Sequence, residues 1–164
     1  MRFSPVVLML GLATSTLALP AAGQRPDDQI SARSLEFSKR GEAALAAGNY
    51  LEADDALETA LVLDPRNRRA FTTMAKVAMK QKLFGQAIRL TNKALSLEPT
   101  DRDAMAIQGE AMVEAGAVPR ARDTLAKLQK LCAGPCPQAA ALSAAIARGP
   151  ALAAATPVTT KKVN

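Results

Sequence analysis

The sequence repeats itself with a period of 34 residues, and this period constrains the fold more than any other feature. Residues 34–67, 68–101 and 102–135 align with one another without a gap. The ends of the first two units match most closely, because ALVLDP at 60–65 corresponds position by position to ALSLEP at 94–99. A fixed period of this length is typical of arrays in which each unit packs only against its neighbours.

Each unit has the apolar spacing of two helices joined by a short turn. In the first unit an apolar helix face reaches Ala44 and Leu45, and Gly48 then interrupts the helix before the spacing resumes. Pro65 and Pro99 prevent continuation of the second helix in units one and two. One helix pair cannot bury its own apolar face, whereas three stacked pairs bury a continuous strip. We therefore predict an all-α solenoid.

The composition agrees with this fold and argues against catalysis. Aromatic residues make up only 3% of the chain, so a core of closely packed helices with small contact residues is expected rather than a β-sandwich. The chain has no histidine, which removes the commonest general base and the commonest metal ligand. We expect no catalytic activity, cofactor or metal. The net charge is +6, but without stacking aromatics it does not indicate nucleic-acid binding, which we do not expect.

The N-terminal residues 1–23 have the three parts of a secretory signal peptide. Arg2 supplies the positive charge, residues 6–19 are apolar, and cleavage is expected after Ala22 or Gly23. The apolar stretch is shorter than the roughly 20 residues that span a bilayer, although a permanent anchor is the alternative interpretation. We predict a periplasmic or secreted protein with no stable membrane insertion after cleavage.

Cys132 and Cys136 are the two cysteines of the chain. Thiols this close are expected to pair in an oxidising compartment, and the intervening Ala-Gly-Pro turn can bring their Cα atoms within roughly 4.4–6.8 Å. We predict a structural disulfide that contributes about 2 kcal/mol to stability. A redox-active pair or a metal site are the alternatives, and the lack of histidine weakens the second.

The repeating unit resembles the tetratricopeptide repeat (TPR), in which a large residue, a Leu-Gly-like pair, an aromatic or small residue, two alanine positions and a terminal proline recur. In the first unit the matching residues are Phe37, Arg40, Gly41, Ala44, Ala53, Leu57, Ala60 and Pro65. In the second they are Phe71, Met74, Ala75, Ala78, Ala87, Thr91, Ala94 and Pro99. The third departs from the pattern at Ala133, where the proline is missing, and at Gln108, which stands at a usually apolar position; its matching residues are Met105, Gly109, Met112, Ala121, Leu125 and Leu128.

The resemblance is to a small exported bacterial TPR protein, and it implies the following organisation. The signal peptide (1–23) precedes a linker or the start of the first helix (24–33). The TPR domain covers 34–148, with repeats at 34–67, 68–101 and 102–135 and a C-terminal capping helix at 137–148. Residues 149–164, rich in Ala, Thr and Pro, are expected to form a disordered tail.

TPR arrays bind peptides or protein surfaces on a concave side lined by the first helix of each repeat, and the resemblance implies a groove at the same place here. The predicted groove residues are Glu42, Leu45, Arg69, Thr72, Lys76, Met79, Lys80, Glu110 and Val113. The basic clamp that many TPR domains use for a terminal carboxylate is absent, because repeat positions 5 and 9 hold Ser38, Thr72, Ala106, Glu42, Lys76 and Glu110. Leu45, Met79 and Val113 form an apolar line that either receives an apolar anchor or holds the stack together.

Charge differs sharply between the units. Unit one contains seven acids and three bases, whereas unit two contains seven bases and two acids. Opposite charge helps adjacent units to associate in one interpretation. In the other, a basic docking patch runs from Arg66, Arg68 and Arg69 through Lys76, Lys80 and Lys82.

The expected function is that of a periplasmic scaffold or adaptor that binds a protein or peptide segment from the cell envelope, as a monomer. One alternative is an envelope structural or stress accessory that acts by self-association. A less favoured alternative is a thiol-disulfide redox protein that uses Cys132 and Cys136, although the pair lies outside any βαβ context.

Overall fold

The computed structural model describes residues 29–151. The predicted signal peptide and most of the predicted tail therefore lie outside the described residues. Between 29 and 151 the chain forms helices and no strand. The helices are α1 (Ala32–Ala46), α2 (Tyr50–Leu63), α3 (Arg68–Lys80), α4 (Phe84–Leu97), α5 (Arg102–Glu114), α6 (Val118–Leu131) and α7 (Pro137–Arg148).

These helices pack as three consecutive pairs, α1 with α2, α3 with α4 and α5 with α6. The first helices also contact one another in order, α1 with α3 and α3 with α5, and α7 covers both helices of the last pair. The predicted all-α solenoid of three helix-turn-helix units with a C-terminal capping helix is confirmed. Helix α1 begins two residues before the first predicted unit, at Ala32.

The core lies both within the helix pairs and between successive units. Ala53, Leu57 and Ala60 of the first pair are fully buried together with Ala70 and Val77 of α3. Alanine at so many contact positions lets the helices approach closely without leaving voids. The apolar face of each pair is thus enclosed by the first helix of the next.

A buried polar network sets the register between the first two units. Asn67 caps α3 by accepting a hydrogen bond from the backbone N–H of Ala70 at 3.2 Å. Its side-chain amide donates to the hydroxyl oxygens of Ser34 and Ser38, each at 2.8 Å, and the Ser34 hydroxyl donates to the Ala60 carbonyl at 2.6 Å. Because a buried amide is costly unless it is hydrogen-bonded, this network favours one alignment of α3 on α1.

The capping helix α7 covers the third unit. Its Leu142 is fully buried and packs where Gly109 of α5 leaves space, since a Cβ at Gly109 would lie 2.5 Å from the Cγ-bound methyl of Leu142. The Sγ atoms of Cys132 and Cys136 lie at bonding distance, 2.13 Å, with Cα atoms 5.9 Å apart, as the sequence predicts. This link joins the end of α6 to the start of α7.

The turn inside each helix pair uses the left-handed backbone conformation at the same repeat position. Gly48 and Gly116 occupy it in units one and three, with φ of 80° and 78°. In unit two the residue is Lys82, with φ of 61°, and it is the one non-glycine residue of 29–151 with positive φ. A side chain at this φ is strained, because its Cβ crowds the following carbonyl oxygen.

Replacement of Lys82 by glycine is expected to raise the free energy of unfolding by about 0.5–1 kcal/mol, because the relief of strain outweighs the extra freedom of glycine in the unfolded chain. Urea denaturation followed by circular dichroism measures the change. Gly116→Ala is the matched control. An added Cβ there meets no atom within 4 Å, so the expected loss of stability measures only the cost of a side chain at positive φ. A lower urea midpoint for Lys82→Gly would contradict the prediction.

Candidate binding groove

The first helices line a groove of about 390 Å³ that runs across all three units. A shift of 34 residues places the same helix face at the same side of each unit, so repeat positions 2, 5 and 9 of successive helices come together. The lining residues are Glu42 from α1, Arg68, Arg69, Thr72, Thr73 and Lys76 from α3, and Asp101 and Asp103 from the start of α5.

Four of the nine predicted groove residues line this space, namely Glu42, Arg69, Thr72 and Lys76. Thr72 is buried, and its hydroxyl donates to the Arg68 carbonyl at 3.1 Å, whereas Lys76 is exposed. The structure therefore places four of the six polar residues of the predicted site in one groove.

The apolar residues of the predicted site lie in the core. Val113 has no exposed surface and packs with Met112 and Ala121, so its assignment to the groove surface needs correction. Leu45 and Met79 are half-buried and pack against the interfaces between successive units. The apolar line thus holds the stack together in this structure, and the groove itself is polar.

The two remaining predicted residues lie outside the lining set. Lys80 is exposed on α3, one turn beyond Lys76. Glu110 is half-buried on α5, and this burial raises the pKa of its carboxyl group, an effect that Arg148 of the capping helix opposes.

Two arginines of the groove are ion-paired. Arg69 donates from Nη2 to Glu42 Oε2 at 2.6 Å, and this hydrogen bond is the main reason that the pKa of Glu42 lies below its usual range. Arg68 donates to Asp101 Oδ2 at 2.7 Å, while Asp101 Oδ1 accepts from the Ala104 N–H and caps α5. Neighbouring arginines of α3 therefore reach in opposite directions, one to α1 of unit one and the other to the N-cap residue of α5 at the end of unit two.

Arg66 is paired as well. Its guanidinium and its backbone N–H both donate to Asp64, at 2.9 Å and 3.0 Å, and Asp64 also accepts from the backbone N–H of Ser31 at 3.1 Å. The Arg66 guanidinium is the main cause that lowers the pKa of Asp64 to about 2. The three arginines of the hypothetical basic docking patch are therefore ion-paired, and one of these pairs, Arg69 with Glu42, joins two units.

Sequence reasoning did not place Arg68, Thr73 or Asp101 in the groove. Asp101 had a signal, because it stands 34 residues after Asn67 and directly before a helix, as an N-cap residue does. The contact of Arg68 with Asp101 had no signal in the sequence, because a 34-residue period specifies which helix faces meet but not which side chains pair.

The described residues 29–151 contain no cluster of three or more His, Cys, Asp or Glu side chains arranged to hold a metal ion. Within the same range no helix combines the length and the apolar character needed to cross a membrane.

Comparison with known proteins shows what this fold resembles. No protein-family model matches the chain, and no curated protein sequence matches it. Among solved structures, the TPR domain of Arabidopsis OM64 has 21% identity and a TM-score of 0.63, covering 70% of this chain and 92% of that one. The first TPR domain of Spaghetti (RPAP3), bound to the HSP90 peptide SRMEEVD, has 23% identity and a TM-score of 0.65, covering 74% and 96%. The TPR2B domain of yeast Sti1, in complex with an Hsp70 peptide, has 19% identity and a TM-score of 0.66, covering 72% and 98%.

These likenesses show the fold, which is that of three tetratricopeptide helix-turn-helix repeats followed by a capping helix.

The pairing of Asp64 predicts an acid-dependent loss of stability. Its folded pKa of about 2 lies below the value of about 3.9 expected in the unfolded chain, so its contribution is complete above about pH 4 and is lost as the pH falls towards 2. Asp64→Asn is expected to lower the free energy of unfolding at pH 7 by about 1–2 kcal/mol, with a smaller difference from the parent protein near pH 2.

Urea denaturation at both pH values measures this difference. Asp55→Asn, at an exposed position of α2, is the matched control and should change stability little at either pH. A loss for Asp64→Asn that is equal at pH 7 and at pH 2 would show that the carboxylate charge is not the cause.

Proposed function

We propose that this protein is an exported, monomeric, non-enzymatic adaptor that binds a segment of another protein along the groove of its first helices. The observation that carries the proposal is the continuous groove itself, which spans three repeats and joins side chains from three helices. Structures with the same fold, the Spaghetti (RPAP3) and yeast Sti1 domains, hold peptides of HSP90 and Hsp70, which supports a peptide or protein segment as the ligand.

The charge of the groove favours a particular ligand. Arg68 and Arg69 are engaged with the carboxylates of Asp101 and Glu42, so they are partly neutralised. Lys76 and Lys80 are exposed, lie one turn apart on α3 and form no ion pair within residues 29–151. A segment with acidic residues complements these lysines. Met79 lies between them in sequence, and the part of its side chain that stays exposed offers an adaptable apolar contact.

The terminal-carboxylate clamp that the TPR resemblance would otherwise imply lacks most of its basic residues here, since Lys76 is the one base at repeat positions 5 and 9. Thr72 is neutral and buried, and Glu42 is an acid bound to Arg69, so neither supplies a cationic anchor for a peptide end. The proposed ligand is therefore an internal acidic segment around an apolar residue, supplied by a protein of the cell envelope.

The groove proposal is tested with two synthetic peptides that share a central leucine, one flanked by acidic residues and the other by lysines. The acidic peptide is expected to bind more tightly, and Lys76→Glu together with Lys80→Glu should weaken it about tenfold and reduce its salt dependence. Isothermal titration calorimetry at two salt concentrations measures both effects.

Lys161→Glu with Lys162→Glu is the matched control, because it makes the same change of net charge in the C-terminal segment. Equal losses in the two double variants, or a preference for the lysine-flanked peptide, would argue against the groove as the binding site.

Export is the second part of the proposal and rests on residues 1–23 together with the cysteine pair. Protein recovered from the periplasmic fraction is expected to begin near Gln24, and Cys132 and Cys136 should resist alkylation until a reductant is added. Intact-mass spectrometry before and after reduction measures both. A retained N-terminus, or quantitative labelling of the native thiols, would contradict this part while leaving the groove proposal standing.

A further inference from the structure

The second helices carry a charge pattern that the groove does not explain. Helices α2, α4 and α6 form the outer side of the array, because the first helices line the groove and contact one another in order. All charged residues of α2 are acidic, namely Glu52, Asp54, Asp55 and Glu58. Both charged residues of α4, Arg89 and Lys93, are basic. Helix α6 carries one acid, Asp123, and the bases Arg120, Arg122, Lys127 and Lys130.

The six basic residues of α4 and α6 are exposed, and none of them forms an ion pair within residues 29–151. They differ in this respect from Arg66, Arg68 and Arg69, whose guanidinium groups are bound to carboxylates. The outer side of units two and three therefore displays six cations that are not ion-paired within residues 29–151, in addition to Lys76 and Lys80 on α3. We call this set Arg89, Lys93, Arg120, Arg122, Lys127 and Lys130 the outer basic face.

Spacing along the helices groups these cations. Lys93 follows Arg89 by four residues and Lys127 follows Arg120 by seven, so each pair lies along one side of its helix. Asp123 is the one acid between them on α6. A ligand that runs from α4 to α6 would thus meet several cations in succession.

We infer that the outer basic face binds an extended acidic polypeptide tract, as a second interaction surface independent of the groove. A flexible chain can adapt its course to cations that are distributed over two helices. Membrane-surface helices also need apolar residues that enter the lipid, and the exposed large apolar residues of the described chain are scattered at Leu51, Val62, Leu83 and Leu131. Nucleic-acid strands stack on exposed aromatics, but no aromatic side chain of residues 29–151 is exposed.

The acidic charge of α2 limits the binding of an acidic tract to one end of the array. An acidic tract is repelled by the outer side of unit one and attracted by units two and three, so binding is confined to the C-terminal two thirds of the array. Exposed ion pairs contribute little one at a time, and the interaction therefore needs several cations and weakens as salt rises.

The experiment uses a fluorescently labelled polyglutamate peptide and measures its binding by anisotropy at low and at physiological salt. Arg120→Gln with Lys127→Gln is expected to weaken binding about fivefold at low salt. Lys161→Gln with Lys162→Gln makes the same change of net charge in the C-terminal segment, which belongs to neither proposed surface, and should weaken binding by less than about twofold. Arg120 and Lys127 are exposed, so their double variant should keep the parent circular dichroism spectrum.

Equal weakening by the two double variants would show that net charge alone attracts the peptide, and would overturn the inference. Binding of phosphatidylglycerol vesicles through Arg120 and Lys127, without binding of polyglutamate, would also overturn it, since the occupant would then be lipid. Loss of polyglutamate binding in the outer variant with unchanged binding of the leucine-centred acidic peptide supports the inference. Failure of that second peptide in the parent protein counts against the groove proposal alone.

Discussion

A pair of short helices has too little apolar surface to enclose a core of its own, and the rest of this structure follows from that limit. Each pair buries its apolar side chains against the first helix of the next unit, as Leu57 and Ala60 do against Val77. The last pair has no following repeat, so α7 takes that place and Leu142 fills the space beside Gly109. Contacts between neighbours therefore determine both the stability of the array and the shape of the groove, because the groove is the side on which first helices meet.

Polar groups then select one arrangement among those that apolar packing alone would allow. Asn67 joins α3 to the serines of α1 inside the core, and Arg69 joins it to Glu42 of α1 at the groove. On the other side, the part-buried pair of Arg68 with Asp101 links α3 to the N-cap residue of α5. Exposed pairs contribute modestly to stability, so the alignment of the units depends mainly on the buried network.

The fold could be predicted almost completely from the sequence, whereas the site could be predicted only in part. Turns, helix faces and the cap follow from a period that is visible in the residues themselves. Depth is not visible in that way: Leu45, Met79 and Val113 share one repeat position, but only the structure shows that Val113 is enclosed. A count of basic residues likewise does not show which of them are ion-paired. The sequence alone suggests that Arg66 can bind a partner, whereas the structure shows it paired with Asp64.

The structure also gives the physical reason for residues that depart from the repeat pattern. Gln108 stands at a position usually apolar and is buried, but its amide donates to the Asn92 side chain at 2.6 Å, so the burial is compensated. At the equivalent position of unit one, Arg40 has no preceding unit within 29–151 to cover it and pairs with Glu52 instead.

Three residues at one repeat position, Asp64, Glu98 and Cys132, end the second helix of each unit. In the first two units the carboxylate closes the turn to the next unit, accepting hydrogen bonds from the backbone N–H groups of Arg66 and Thr100. In the third unit the sulfur of Cys132 closes it by its link to Cys136. The successive turns of the array therefore respond to different chemical conditions. Acid protonates Asp64 and Glu98 and weakens the first two turns, whereas a reductant cleaves the link between Cys132 and Cys136 and weakens only the turn before the capping helix.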